Sequence, residues 1–238
     1  MEKTCRVQCL GSVPYQKAWD YQNYLAAEIA AGRAAETLLL LEHPHTYTLG
    51  RRGLVDNLLW SEAAQAERGV AVFWVDRGGG ITYHGPGQLV GYPILQLAPV
   101  CNPSGRLPRA DFVGFIRQLE EVLIRTLHHF EIEGYRVADK TGVWVKSPRG
   151  EGFEKIASIG VKVDAKGISR HGFALNVQPD MDYWEGIVPC GLTEVVMTSM
   201  VGCKERPIAM RAVQEALSDA FGVVFERVML WDPEPPVL

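Results

Sequence analysis

Two side chains in this sequence could do nucleophilic chemistry. Cys190 sits between Pro189 and Gly191 in VPCGL, and Lys155 heads the run KIASIG. A cysteine attacks as its thiolate, and a free pKa of about 8.5 leaves only a few per cent ionised at pH 7. A nearby ammonium raises that fraction and can carry the proton afterwards. The two residues are 35 positions apart, a spacing that leaves contact in space open. By itself the cysteine reads equally well as a small buried hydrophobe.

A second concentration of chemistry is DRGGGITYHGPGQL, Asp76–Leu89, where five glycines surround Arg77, Thr82, Tyr83, His84 and Gln88. No GK[ST] follows for a phosphate loop, and the spacing is not G-x-G-x-x-G entering a helix. Glycines between two apolar runs let a ligand lie against the backbone. The stretch reads as a loop joining two strands, and the density of polar side chains among its glycines points to a site, with His84 shaping the pocket by hydrogen bonding. His43 and His45 lack an acidic or thiol partner at ligand spacing, so they read as flanking the pocket rather than holding metal. Arg51 and Arg52 suit an acidic partner or plain solvent. His128 and His129 suit a helix C-terminus, and His171 carries no assigned role. Tyr183 and Trp184 read as anchoring the turn before Cys190.

The elements that must hold these groups alternate along the chain. RVQCLG reads as a short strand. YQKAWDYQNYLAAEIAAG has helical spacing through Ala18, Tyr21, Leu25 and Ile29 and stops at Gly32. TLLLLEHP is a buried strand ended by Pro44. GVAVFWVDR and LVGYPILQL read as strands on either side of the glycine stretch. Asp111 caps a helix whose apolar stripe is Phe112, Phe115, Ile116, Leu119, Val122, Leu123 and Leu127. GVWVK, KIASIGVKV and SRHGFALNV follow as strands. RPIAMRAVQEALSDAFG is a last helix with Gly222 after it. The pattern is mixed α/β, one main sheet with packed helices.

Composition narrows the class. The 238 residues are 47% hydrophobic and 22% charged, an ordinary globular balance. A formal net charge of −4 gives no basic face for nucleic acid. No apolar run reaches the roughly 20 residues a membrane span needs, and MEKTCRVQCLG has no secretory pattern. Five cysteines at scattered positions suggest reduced thiols, in keeping with a cytoplasmic protein.

In order, RGGGITYHGPGQ, KIASIG, HGFALNV and GIVPCGL resemble the octanoyltransferase family of lipoate biosynthesis, over most of the chain from His43 to Cys203. Its members move an octanoyl group from acyl carrier protein to a lysine of a lipoyl domain. The resemblance implies a mixed β-sheet with packed helices, similar to the biotin and lipoate protein ligase catalytic domain, as one domain over residues 1–238. It implies that Cys190 is the acyl-thioester nucleophile and that Lys155 lowers its pKa and acts as acid and base. Arg77, Gly78, Gly79, Gly80, Ile81, Thr82, Tyr83 and His84 would bind the acyl group. Ser158, Ile159 and Gly160, with Gly172, Phe173 and Ala174, would complete that site. No metal and no cofactor is implied. The donor would be octanoyl-acyl carrier protein. The acceptor would be a lipoyl domain of a 2-oxoacid dehydrogenase complex or the glycine cleavage H protein. Burying six methylenes of the chain would contribute roughly 5 kcal/mol. Three other readings share these residues: an ATP-dependent lipoate-protein ligase, a lipoyl amidotransferase, and a non-enzymatic acyl-carrier-binding module.

Overall fold

The computed structural model describes residues 2–97, 111–147, 150–189 and 195–238. Cys190 therefore lies outside the described residues, as does Cys101. Eleven strands are described: β1 (Thr4–Ser12), β2 (Thr37–Glu42), β3 (Thr46–Leu49), β4 (Ala71–Trp74), β5 (Ile81–His84), β6 (Gln88–Ile94), β7 (Tyr135–Val137), β8 (Lys140–Lys146), β9 (Phe153–Val163), β10 (Ser169–Asn176) and β11 (Val228–Trp231). The α-helices are α1 (Tyr15–Ala30), α2 (Glu62–Glu67), α3 (Phe112–His129), α4 (Met200–Lys204) and α5 (Met210–Phe225).

Eight strands form one mixed sheet in the order β11-β1-β2-β6-β10-β9-β8-β7. β1 pairs in parallel with both β2 and β11, whereas β6, β10, β9 and β8 run antiparallel to their neighbours. Helices cover both faces, which is why β2 is leucine at four successive positions. Leu38 and Leu40 enter the core under α3 and α5, while Leu39 and Leu41 enter the core under α1. α3 supplies Phe115, Leu119, Val122, Leu123 and Leu127 to the first core, with Ile116 partly buried against it, whereas Phe112 of the expected stripe is exposed. Asp111 caps this helix by accepting the Gly114 N–H at 2.7 Å.

The glycine stretch departs from the expected plain loop. Ile81–His84 forms β5, which pairs with β3, itself paired with β4, in a separate three-stranded sheet. Alternation along β5 explains the order: Ile81 and Tyr83 enter an aromatic core with Tyr47 and Trp184. The one main sheet read from sequence is the eight-stranded one, and this small second sheet is an addition to it. α5 also runs past Gly222 to Phe225, because Phe221 and Phe225 anchor its last turn in the core. A side chain at Gly222 would meet Met229 of β11 and the Arg227 carbonyl, both at 3.0 Å.

β8 and β9 carry one irregularity beside Lys155. Trp144 pairs with Lys155 and Val143 with Ala157, so Ile156 is an extra residue in β9. Ile156 and Ala157, neighbours in sequence, both enter the α3–α5 core.

Candidate functional site

Two adjoining cavities lie along β9. The first is a slot of about 480 Å³, its mouth and open solvent included. β9 contributes Ser158, Ile159 and Gly160, and β10 contributes Gly172, Phe173 and Ala174. The register brings these two triplets together, since Gly160 pairs with Gly172, Ile159 with Phe173 and Ser158 with Ala174. From the glycine stretch come Arg77, Gly79, Gly80, Ile81, Thr82 and His84. Three further lining residues, Tyr15, Tyr92 and His171, carried no binding assignment in the sequence. Tyr83 points away: its ring is buried in the aromatic core and its hydroxyl pairs with His45 Nδ1 at 2.9 Å.

The second cavity is a cleft of about 1,120 Å³, its open mouth included, that is lined in part by Lys155. Gly79, Gly80, Ile159 and Gly160 line both cavities and form their common wall. Gly78 lines the cleft rather than the slot. Lys155 is only 4% exposed, and its ammonium lies 5.4 Å from the centre of the Trp144 ring. Its backbone is fixed by the chain that follows position 190. The Lys155 N–H donates to Val196 O at 2.8 Å, and the Thr198 N–H donates to Lys155 O at 2.9 Å.

A polar relay connects this strand to the slot and settles the state of His84. Asn176 Nδ2 donates to Thr198 O at 2.9 Å, which leaves its Oδ1 to accept from Gln88 Nε2 at 3.0 Å. Gln88 Nε2 also donates to Tyr83 O at 3.0 Å, so Gln88 Oε1 accepts from His84 Nδ1 at 2.8 Å. His84 is therefore the Nδ1–H tautomer by the logic of its partners. Its Nε2 faces the Thr48 hydroxyl at 3.5 Å. That hydroxyl in turn accepts from Arg77 Nη2 at 2.8 Å. Burial, then the neighbouring His43, holds His84 well below 6.5, with the Arg77 guanidinium adding to the effect. At neutral pH His84 is an uncharged, fixed part of the wall.

The slot's other polar end is built on one carboxylate. Asp76 accepts from His171 Nε2 at 2.7 Å, from Arg170 Nη2 at 2.7 Å and from Lys162 Nζ at 2.6 Å. The His171 bond, with those from Lys162 and Arg170, holds the Asp76 carboxyl far below the carboxylate range despite partial burial. Burial keeps His171 below 6.5 even so, which makes this contact a neutral-imidazole hydrogen bond. His171 occupies the left-handed region at φ 57° inside a buried strand, an uncommon conformation for a side-chain-bearing residue.

The histidines near the glycine stretch point apart. His43 Nδ1 donates to Val13 O at 2.6 Å, which leaves Nε2 to accept from the Tyr92 hydroxyl at 2.7 Å. His45 stacks on Tyr183 with ring centres 3.8 Å apart. Arg51 and Arg52 are exposed beside the cleft, and Arg52 lines it. Cys5, Cys9 and Cys203 are free thiols, and burial pushes Cys5 up to about 12. Among the described residues no helix is long and apolar enough to cross a membrane.

Residues 14–222 match the model of the lipoyl protein ligase A/B catalytic domain. An octanoyltransferase of Chloroflexus aurantiacus is 46% identical over 223 residues, covering 94% of this chain and 95% of that one. The chain belongs to the octanoyltransferase family. Another member, from Solibacter usitatus, is 43% identical over 96% of both chains. Solved structures share the fold at lower identity. The bi-partite lipoate protein ligase of Thermoplasma acidophilum superposes with a TM-score of 0.67 at 17% identity, covering 100% of this chain and 88% of that one. A lipoate-protein ligase A bound with ATP gives 0.68 at 15%, covering 100% and 90%. The mixed α/β fold expected of the family is the one observed.

Proposed function

We propose that the octanoyl transfer of this family runs here through a thioester on Cys190, with Lys155 as the proton carrier. One observation carries this reading: a buried lysine stands in a cleft that shares its wall with a mostly apolar slot. The residues of that wall come from the glycine stretch and β9, two of the quoted motifs. The Cys190 thiol gives its proton to the Lys155 amine, and the thiolate attacks the donor's thioester carbonyl. The carbon–sulfur bond to the donor breaks, and the departing thiolate takes the proton from the Lys155 ammonium. The acceptor amine then attacks the Cys190 thioester and passes its proton to Lys155. Cys190 leaves as thiolate, and the amide product departs. The first step exchanges one thioester for another, and the second runs downhill to an amide, so ATP has no part in it.

The reading assigns the acyl chain to the slot and the reacting carbonyl to the cleft side of the Gly79–Gly80 and Ile159–Gly160 wall. The acyl donor is octanoyl-acyl carrier protein, and the acceptor is a lipoyl domain of a 2-oxoacid dehydrogenase complex or the glycine cleavage H protein. Residues 1–238 act as one catalytic domain. The test is intact mass after mixing the protein with octanoyl-carrier and no ATP, followed by addition of a lipoyl domain. An octanoyl adduct on the enzyme that passes to the acceptor is the expected result. Absence of any adduct, or product only when ATP and free octanoate are supplied, would replace this reading with the ligase one.

A further inference from the structure

On α3, Glu120 is completely buried although it follows the apolar Leu119 by one position. One carboxylate oxygen pairs with Arg117 Nη1 at 2.7 Å and with Arg136 Nε at 3.3 Å. The other accepts the backbone N–H of Gly142, on β8, at 3.1 Å. A buried carboxylate is a poor way to gain stability, because desolvation offsets much of what its partners return. Its geometry points to another use.

Gly142 holds a φ of 117°, which side-chain-bearing residues rarely adopt. A Cβ there would lie 2.5 Å from Ala157 O, 2.7 Å from Lys155 Cε and 3.3 Å from Lys155 Nζ. The main chain at Gly142 is thus the surface on which the end of the lysine side chain rests. The indole of Trp144, two positions further along β8, flanks the same ammonium. Glu120 and Lys155 stand on either side of one glycine, the first holding its N–H and the second packed on its Cα. A flexible four-carbon stem delivers a proton to a fixed point only if its neighbours restrict it.

We infer that Glu120 and Gly142 are positioning residues for Lys155, the carboxylate fixing the glycine backbone and the backbone fixing the ammonium. This rests on Lys155 being the proton carrier. Glu120 touches no substrate in this scheme and acts through Gly142 alone. Glu120→Gln keeps an oxygen that can accept the Gly142 N–H, whereas Glu120→Ala removes it. Gly142→Ala attacks the same contact from the other side.

The experiment measures kcat and KM for octanoyl transfer, the pH dependence of iodoacetamide alkylation at Cys190, and thermal unfolding. Glu120→Ala is expected to lower kcat about tenfold with KM unchanged and to move the alkylation profile toward that of a free cysteine. Glu120→Gln is expected to restore most of both, and Gly142→Ala to reproduce the loss. Lower melting of Glu120→Ala with kcat and alkylation profile unmoved would overturn the inference. Should Glu120→Ala fail to fold, a folded Gly142→Ala with the wild-type profile does the same. Lys155→Ala, run in parallel, separates the two levels. An unmoved profile there removes the role of Lys155 and this inference with it. A moved profile there, beside unmoved ones in the other variants, removes the inference alone.

Discussion

The two cavities along β9 share a wall and differ in almost everything else. The slot is lined by β-sheet residues, aromatic rings, histidines that burial keeps uncharged, and Arg77. The cleft is lined by Lys155, Lys140 and Arg52 beside Trp144 and Phe112. A fixed slot of rings, glycines and neutral histidines, its one guanidinium already tied to Thr48 and the Gly78 carbonyl, suits an alkyl chain, which offers nothing to pair with a charge. A cleft carrying cations suits a thiolate and a developing oxyanion. Under the proposed transfer, recognition and reaction would be divided between neighbouring spaces. Substitutions in the two should therefore fail in different ways.

The sharpest break is on the reaction side. Cys190→Ala is expected to abolish transfer, by about a thousandfold or more, with no acyl adduct in the intact mass and unchanged melting. Lys155→Ala should lower kcat by roughly a hundredfold at neutral pH, within the usual reach of a positioned acid or base. Its alkylation profile at Cys190 should move to higher pH, and an unmoved profile would collapse the contrast between cleft and slot.

On the shared wall, Gly160→Val should act mainly on substrate choice. A Cβ at Gly160 would already lie 3.1 Å from Arg77 Cδ and from Gly78 O, so a larger group must intrude into the slot. Competing octanoyl and butanoyl donors should then show a preference shifted about tenfold toward the shorter chain, with the butanoyl turnover little changed. Equal losses for both chains would mean that the wall does not measure length.

Behind the slot the expected effect is on stability alone. Burial lowers His43 from 6.5 to about 4. The folded protein thus binds this proton less readily than the unfolded chain. Its contribution is intact above pH 6.5 and is lost as pH falls through about 4, a change of about 3 kcal/mol. His84 and His171 act in the same direction. Denaturant midpoints between pH 7 and pH 4.5 should fall, and His43→Gln should flatten the slope. A midpoint that rises on acidification would contradict the neutral state of these histidines.

Much of this arrangement is legible in the residues. The leucine run of β2, the stripe of α3 and the Asp111 cap are local patterns, and their elements form where expected. The motif triplets of β9 and β10 line the slot because their register pairs them residue for residue. What was hidden depends on distant parts meeting. Tyr15 reaches the slot from α1, and no feature of YQKAWDY marks it. β5 is four residues amid glycines, too short for its alternation to stand out. Glu120 is polar at the edge of an apolar stripe and reads as solvent-facing. Arg117, Arg136 and the Gly142 backbone make its burial tolerable.

The extra residue at Ile156 restricts how this gene can change in length. Strand residues alternate between faces, so removing one position from β9 would bring Lys155 into step with a different set of neighbours. Insertions or deletions here should be absent among working relatives, and a codon deletion at 156 should abolish transfer even if the protein still folds.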